Sequence, residues 1–162
     1  MSSNYSINFN TPKRSKKLIK FIIIHYTGMK SQAKAIERLC DSSSKVSAHY
    51  FIKDNGKLLN LVPDLYEAWH AGKSSWKNLK ALNKYSIGIE INNSGHDYGY
   101  PKFKKRQIST LKKLLKNLIN KYKIRNRNIL GHSDIAPNRK KDPGEKFPWK
   151  DLANKNLSVW HK

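Results

Sequence analysis

The chain has 162 residues, enough for one domain that buries roughly two-thirds of its unfolded surface. Its single cysteine, Cys40, excludes an intramolecular disulfide and a multi-cysteine metal site, and no apolar run approaches the roughly 18 residues that cross a bilayer. A net charge of +22 points either to a polyanionic partner or to compositional bias, because lysine outnumbers arginine 27 to 6 and asparagine (16) and isoleucine (15) are also abundant.

Residues 1–17 are polar and basic and read as a loosely held arm. They lack the apolar core of a signal peptide, so a soluble, cytoplasmic protein is expected, with periplasm or envelope as the alternative. Residues 18–25 form a strand buried on both faces that ends on His25. Residues 31–40 read as a helix with Ser31 as N-cap and Cys40 as a small core residue. Residues 46–52 read as a strand, and the "DNG" at 54–56 turns the chain into a return strand, because Asn and Gly tolerate positive φ.

Residues 63–85 read as loop and carry "EAWHAGKSSW". Residues 86–92 alternate as a strand, with Ile87, Ile89 and Ile91 on one face and Ser86, Gly88, Glu90 and Asn92 on the other. From about Lys104 to Tyr122, apolar residues recur at helical spacing with lysines opposite. A short strand at 128–130 leads into "GHSD", and the Pro- and Lys-rich tail offers Phe147, Trp149 and Trp160 as aromatic anchors. Helices and strands thus mix in one sheet-centred α/β unit without internal repeats.

His25 and His132 each follow a buried strand, and Asp142 precedes a Pro-Gly turn. Two histidines and a carboxylate match the ligand count of a catalytic zinc with an open fourth position. Taken singly, each histidine reads more readily as a structural residue than as a ligand. Glu90 lies mid-strand beside a glycine that leaves room, where a buried carboxylate is costly unless paired; it reads as a general base or as a solvent-facing strand residue. Lys140, two residues before Asp142, points to the same side if that segment is extended. Otherwise it is one more solvated lysine.

The stretches "FIIIHYTG", "VSAHYFI", "EAWHAGKSSW", "YSIGIEINN" and "NILGHSDIAPNRKKDPGEKFPW" together resemble the zinc-dependent N-acetylmuramoyl-L-alanine amidases. That family includes phage lysozyme-type amidases and animal peptidoglycan recognition proteins. The match runs from about Leu18 to Trp149 and looks nearest the AmpD/AmiD-like bacterial branch.

The resemblance implies a single catalytic domain over residues 18–162, with a central mixed β-sheet flanked by helices. It implies one zinc per chain held by His25, His132 and Asp142, Glu90 as general base and Lys140 as transition-state stabiliser. Tyr26, His49, Trp69, His70 and Asn92 are the expected substrate contacts, with His49 alternatively structural and His70 at the cleft rim. His96 and His161 are expected to be solvated. Where the phage branch has a catalytic tyrosine, this chain has Ala48, and Glu90 takes that role in the AmpD/AmiD-like branch. The recognition proteins that lack catalysis usually lose a ligand, whereas all three positions are filled here. The implied reaction is hydrolysis of the amide between the lactyl group of N-acetylmuramic acid and L-alanine, in wall turnover or recycling. The expected partners are peptidoglycan or muropeptide fragments, with no specific nucleic acid and a monomeric state.

Overall fold

The computed structural model describes residues 5–160, so His161 lies outside the described residues. In chain order its elements are β1 (Phe9–Asn10), β2 (Phe21–Tyr26), α1 (Gln32–Cys40), β3 (Tyr50–Ile52), β4 (Leu58–Asn60) and β5 (Glu67–Ala68). Then follow β6 (Ser75–Trp76), β7 (Leu79–Lys80), β8 (Ser86–Ile91), α2 (Lys105–Tyr122), β9 (Ile129–Gly131), α3 (His132–Ile135) and α4 (Trp149–Ala153). Five strands form the central sheet in the order β4-β3-β8-β2-β9. It is mixed: β3, β8, β2 and β9 run parallel, and β4 returns antiparallel to β3.

The apolar runs in β2 and β8 make sense in a sheet covered on both faces. Ile22, Ile24, Ile87, Ile89 and Ile91 face the larger core, where Ile108, Leu111, Leu114, Leu115 and Leu118 of α2 pack on them. Burying each such side chain contributes about 1.5–3 kcal/mol, so α2 is held chiefly by its stripe. Gln107 starts this helix by accepting the Lys104 N–H on Oε1, and its Nε2 donates to Asn92 O, tying the helix to the end of β8. Phe21, Ile23 and Leu130 face the other way, into a second core with Leu82 and Ile135. On the same side α1 places Ala35 and Leu39 against Phe51, with Cys40 partly buried beside them. Ser31 caps α1 by accepting the Lys34 N–H. Gly56, at φ 83°, makes the β3–β4 turn.

Three expectations change. The segment before β2 is stitched into the domain over its described part. Asn8 Nδ2 donates to Asp41 O and Val46 O at 2.8 Å each, and the Arg14 guanidinium donates to Asp64 O and Asn83 O. These partners are far away in sequence, so a polar composition alone reads as loose. Residues 63–85 hold real strands: β5 pairs with β1, and β6 with β7. Trp160 is 50% exposed and anchors nothing, whereas Phe147 is buried and Trp149 packs against the larger core. Among the described residues no helix is long and apolar enough to cross a membrane.

Candidate metal centre

In open sheets with parallel strands, ligands bind beyond the C-terminal strand ends, and here β2, β8 and β9 finish along one edge. His25 is the penultimate residue of β2 and pairs in register with Glu90 of β8. β9 ends at Gly131, and His132 opens α3, whose first turn is capped by Asp134 Oδ2 accepting the Gly131 N–H at 2.7 Å. Asp142 is drawn in because its carbonyl accepts the Ser133 N–H at 2.9 Å. Gly131 permits that approach: a Cβ there would lie 2.7 Å from Pro143 Cδ.

The three side chains converge. His25 Nδ1 lies 2.9 Å from His132 Nδ1 and 3.1 Å from Asp142 Oδ2, and His132 Nδ1 lies 3.2 Å from the same oxygen. All three residues are buried, with their ligand atoms within 4.8 Å of one another. His132 Nε2 sits 3.1 Å from the Ala71 carbonyl, which can only accept, so Nε2 carries a proton and Nδ1 is the nitrogen turned inward. Burial, and next the neighbouring His132, push His25 down to about 4, so its ring is neutral at physiological pH. Burial works to raise Asp142, but hydrogen bonds with His132 and His25 prevail and hold it far below the usual carboxylate range. Two imidazoles and one carboxylate form an N/N/O donor set suited to zinc, and the three ligand atoms converge on one point.

A cleft of about 540 Å³ opens above these residues, lined also by Tyr26, His70, Glu90 and Lys140. Glu90 Oε2 is buried with no hydrogen-bond partner among the described residues, an uncommon state for a carboxylate. Burial, then the negative charge of Asp142, raise the Glu90 carboxyl well above its ordinary value, with Lys140 opposing. A carboxyl with raised proton affinity at a cleft wall suits the role of general base.

The remaining expected contacts divide. Tyr26 stands in the cleft wall, with its hydroxyl 2.8 Å from His96 Nδ1. His70 lies beneath His25 and is 8% exposed, so it belongs to the cleft floor and not to the rim. His49, Trp69 and Asn92 do not line the cleft. His49 is fully buried beside His70, where Nδ1 accepts the Gly88 N–H and Nε2 faces Arg14 and Tyr66 O. Trp69 donates to Asn10 Oδ1, and Asn92 donates to Asp54 Oδ1. Each has a partner from a distant segment, which a motif cannot display.

His96 is held between Tyr26 and Glu145 Oε2 (2.9 Å) and stacks on Tyr100, so it is not a free loop residue. Two cleft residues carried no signal in the sequence. Arg38 projects from α1, and Arg139 donates to Ala71 O and Lys73 O at 2.8 Å each. Both were indistinguishable from the other basic residues.

A family model described as N-acetylmuramoyl-L-alanine amidase matches residues 14–145. N-acetylmuramoyl-L-alanine amidase AmiD of Escherichia coli (strain K12) is 39% identical over 154 residues, covering 88% of this chain and 55% of its own. The 1,6-anhydro-N-acetylmuramyl-L-alanine amidase AmpD of Citrobacter freundii is 39% identical over 106 residues, covering 65% of this chain and 54% of its own. The crystal structure of AmpDh3 from Pseudomonas aeruginosa in complex with anhydromuramic pentapeptide superposes with a TM-score of 0.84 at 34% identity, over 100% of this chain and 69% of that one. The chain spans about half the length of the curated relatives it matches.

Proposed function

The chain belongs to the N-acetylmuramoyl-L-alanine amidase family, in its AmpD/AmiD-like branch with the peptidoglycan-recognition-protein-like fold, and on that footing we propose that it hydrolyses the amide joining the lactyl group of N-acetylmuramic acid to L-alanine of a stem peptide. Its place would be peptidoglycan turnover or recycling, and its substrates wall fragments or muropeptides. The observation that carries this reading is the convergence of His25, His132 and Asp142 beneath a cleft that Glu90 also lines.

Under this proposal His25, His132 and Asp142 would hold one zinc ion. When bound, zinc supplies a Lewis acid that polarises a carbonyl and acidifies water. The Glu90 carboxylate accepts the proton of the water that attacks the lactyl carbonyl carbon, and returns it to the amine nitrogen as the C–N bond breaks. Its raised proton affinity favours the first half of that transfer, taking the proton from water. Lys140 brings a positive charge to the same cleft to favour the oxyanion that develops on the carbonyl oxygen. The rigid strands beneath His25 and Glu90 keep these groups in register.

The test is mass spectrometry of products from paired anhydro and reduced muropeptides, with and without chelator. Stem peptide released from either substrate and abolished by chelator is the expected result. Intact substrates after incubation with the zinc-loaded protein would overturn the proposal.

A further inference from the structure

Behind the metal-facing ring of His25 lies a chain of buried polar groups that the hydrolytic reading does not use. His25 Nε2 is 3.0 Å from His70 Nδ1, His70 Nε2 is 3.1 Å from Ser86 Oγ, and Ser86 Oγ donates to Leu82 O at 2.6 Å. All of these side chains are buried, and Ser86 is completely so.

The direction of the chain follows from its far end. Leu82 O can only accept, so the single hydroxyl proton of Ser86 points at it. Ser86 Oγ therefore accepts from His70 Nε2–H. His70 Nδ1 is then a lone pair and accepts from His25 Nε2–H. That leaves His25 Nδ1 unprotonated and turned toward His132 and Asp142. The reverse polarity would put a proton on His25 Nδ1, where a metal must bind.

We propose that His70 and Ser86 are positioning residues that fix the tautomer and orientation of His25, relaying the demand of the Leu82 carbonyl to the metal-binding nitrogen. This rests on the metal reading above. His132 needs no such relay, because its Nε2 reaches the Ala71 carbonyl directly. Gly88 completes the device: a Cβ there would overlap the His70 ring, 2.6 Å from both Nδ1 and Cδ2. The side chains of β8 that face the site thus divide the work. Ser86 orients His70, Gly88 makes room for it, and Glu90 enters the cleft.

The test uses the full chain without and with zinc. In the metal-free protein, long-range ¹H–¹⁵N NMR of the imidazoles should show both His25 and His70 as Nε2–H tautomers. Zinc affinity, measured by competition with a chromophoric chelator, should fall about 10–100-fold in His70→Phe, the range typical of lost support behind a metal ligand. His70→Asn, whose side-chain oxygen takes the place of Nδ1, should bind within about threefold of the parent. The relay is overturned if His25 carries its proton on Nδ1, or if His70→Phe binds zinc as tightly as the parent. Should His70→Phe fail to fold, as judged by thermal unfolding, the tautomers of the parent decide. A parent that binds zinc no better than Asp142→Ala would sink the metal reading instead, and the tautomers would still judge the relay.

Discussion

His25 and Glu90 are partners in the register of two parallel strands, β2 and β8, so an imidazole of the His25–His132–Asp142 cluster and a carboxylate rise side by side from one face of the sheet. That pairing separates holding a metal from moving a proton. Glu90→Ala should keep one zinc per chain and lose at least about 100-fold in kcat, the lower range for a general acid–base group. Asp142→Ala should lose zinc and turnover together. Metal content by mass spectrometry, beside muropeptide hydrolysis, checks both; an active Glu90→Ala enzyme would remove Glu90 from the mechanism.

Lys140 shares the cleft and acts electrostatically on both Glu90 and His25. Lys140→Met preserves most of the stem and deletes the charge. A charge aimed at a developing oxyanion is worth about 3–4 kcal/mol, so kcat should drop by about 10²–10³-fold with zinc content unchanged. Loss confined to KM would show that Lys140 binds substrate without favouring the transition state.

Asp64 lies away from the cleft and should contribute stability that is lost in acid. It accepts from Tyr50 Oη at 2.6 Å, Tyr122 Oη at 2.6 Å and Lys121 Nζ at 2.8 Å, joining β3 to the end of α2. Burial works to raise its pKa, but these hydrogen bonds prevail and lower it. A carboxyl depressed in the folded state contributes stability above its unfolded pKa of about 3.9, and that contribution fades as pH falls through the folded value. Asp64→Asn should therefore cost about 2 kcal/mol at pH 7, within the range for hydrogen bonds to a charged group. The difference from the parent should shrink below about pH 4 in denaturant titrations run across pH.

The stripe on α2 sets the stability of the larger core. Leu115 is fully buried there, and Leu115→Ala should destabilise by about 2–5 kcal/mol through lost burial and the cavity left behind. Zinc stoichiometry should stay at the parent value in whatever protein remains folded. A cost under about 1 kcal/mol in urea unfolding would mean that α2 is held by something other than its apolar face.

Legibility followed the range of the interactions. β2, β8, α1, α2 and the turn at Gly56 were readable because each is specified by residues a few positions apart, through periodicity, a capping serine or a residue that accepts positive φ. The packing of residues 6–14, the short strands β5 to β7 and the partners of His96 were not, because each depends on hydrogen bonds to remote segments. Gly88 makes the point sharply. Its lack of a side chain was legible as space beside Glu90, yet the space is filled by His70, which the family pattern placed at the cleft rim and not against β8.

By itself the sequence determined which chemistry was possible: one imidazole or carboxylate at the end of each buried strand or turn, and a family pattern that named them. Only the tertiary structure decided that His25, His132 and Asp142 meet within 4.8 Å and that Glu90 stands beside them without a partner. It also decided that His49, Trp69 and Asn92 turn to other partners. The reason is geometric: local pattern fixes which face of a strand a side chain takes, but strand order and register fix which side chains it meets there.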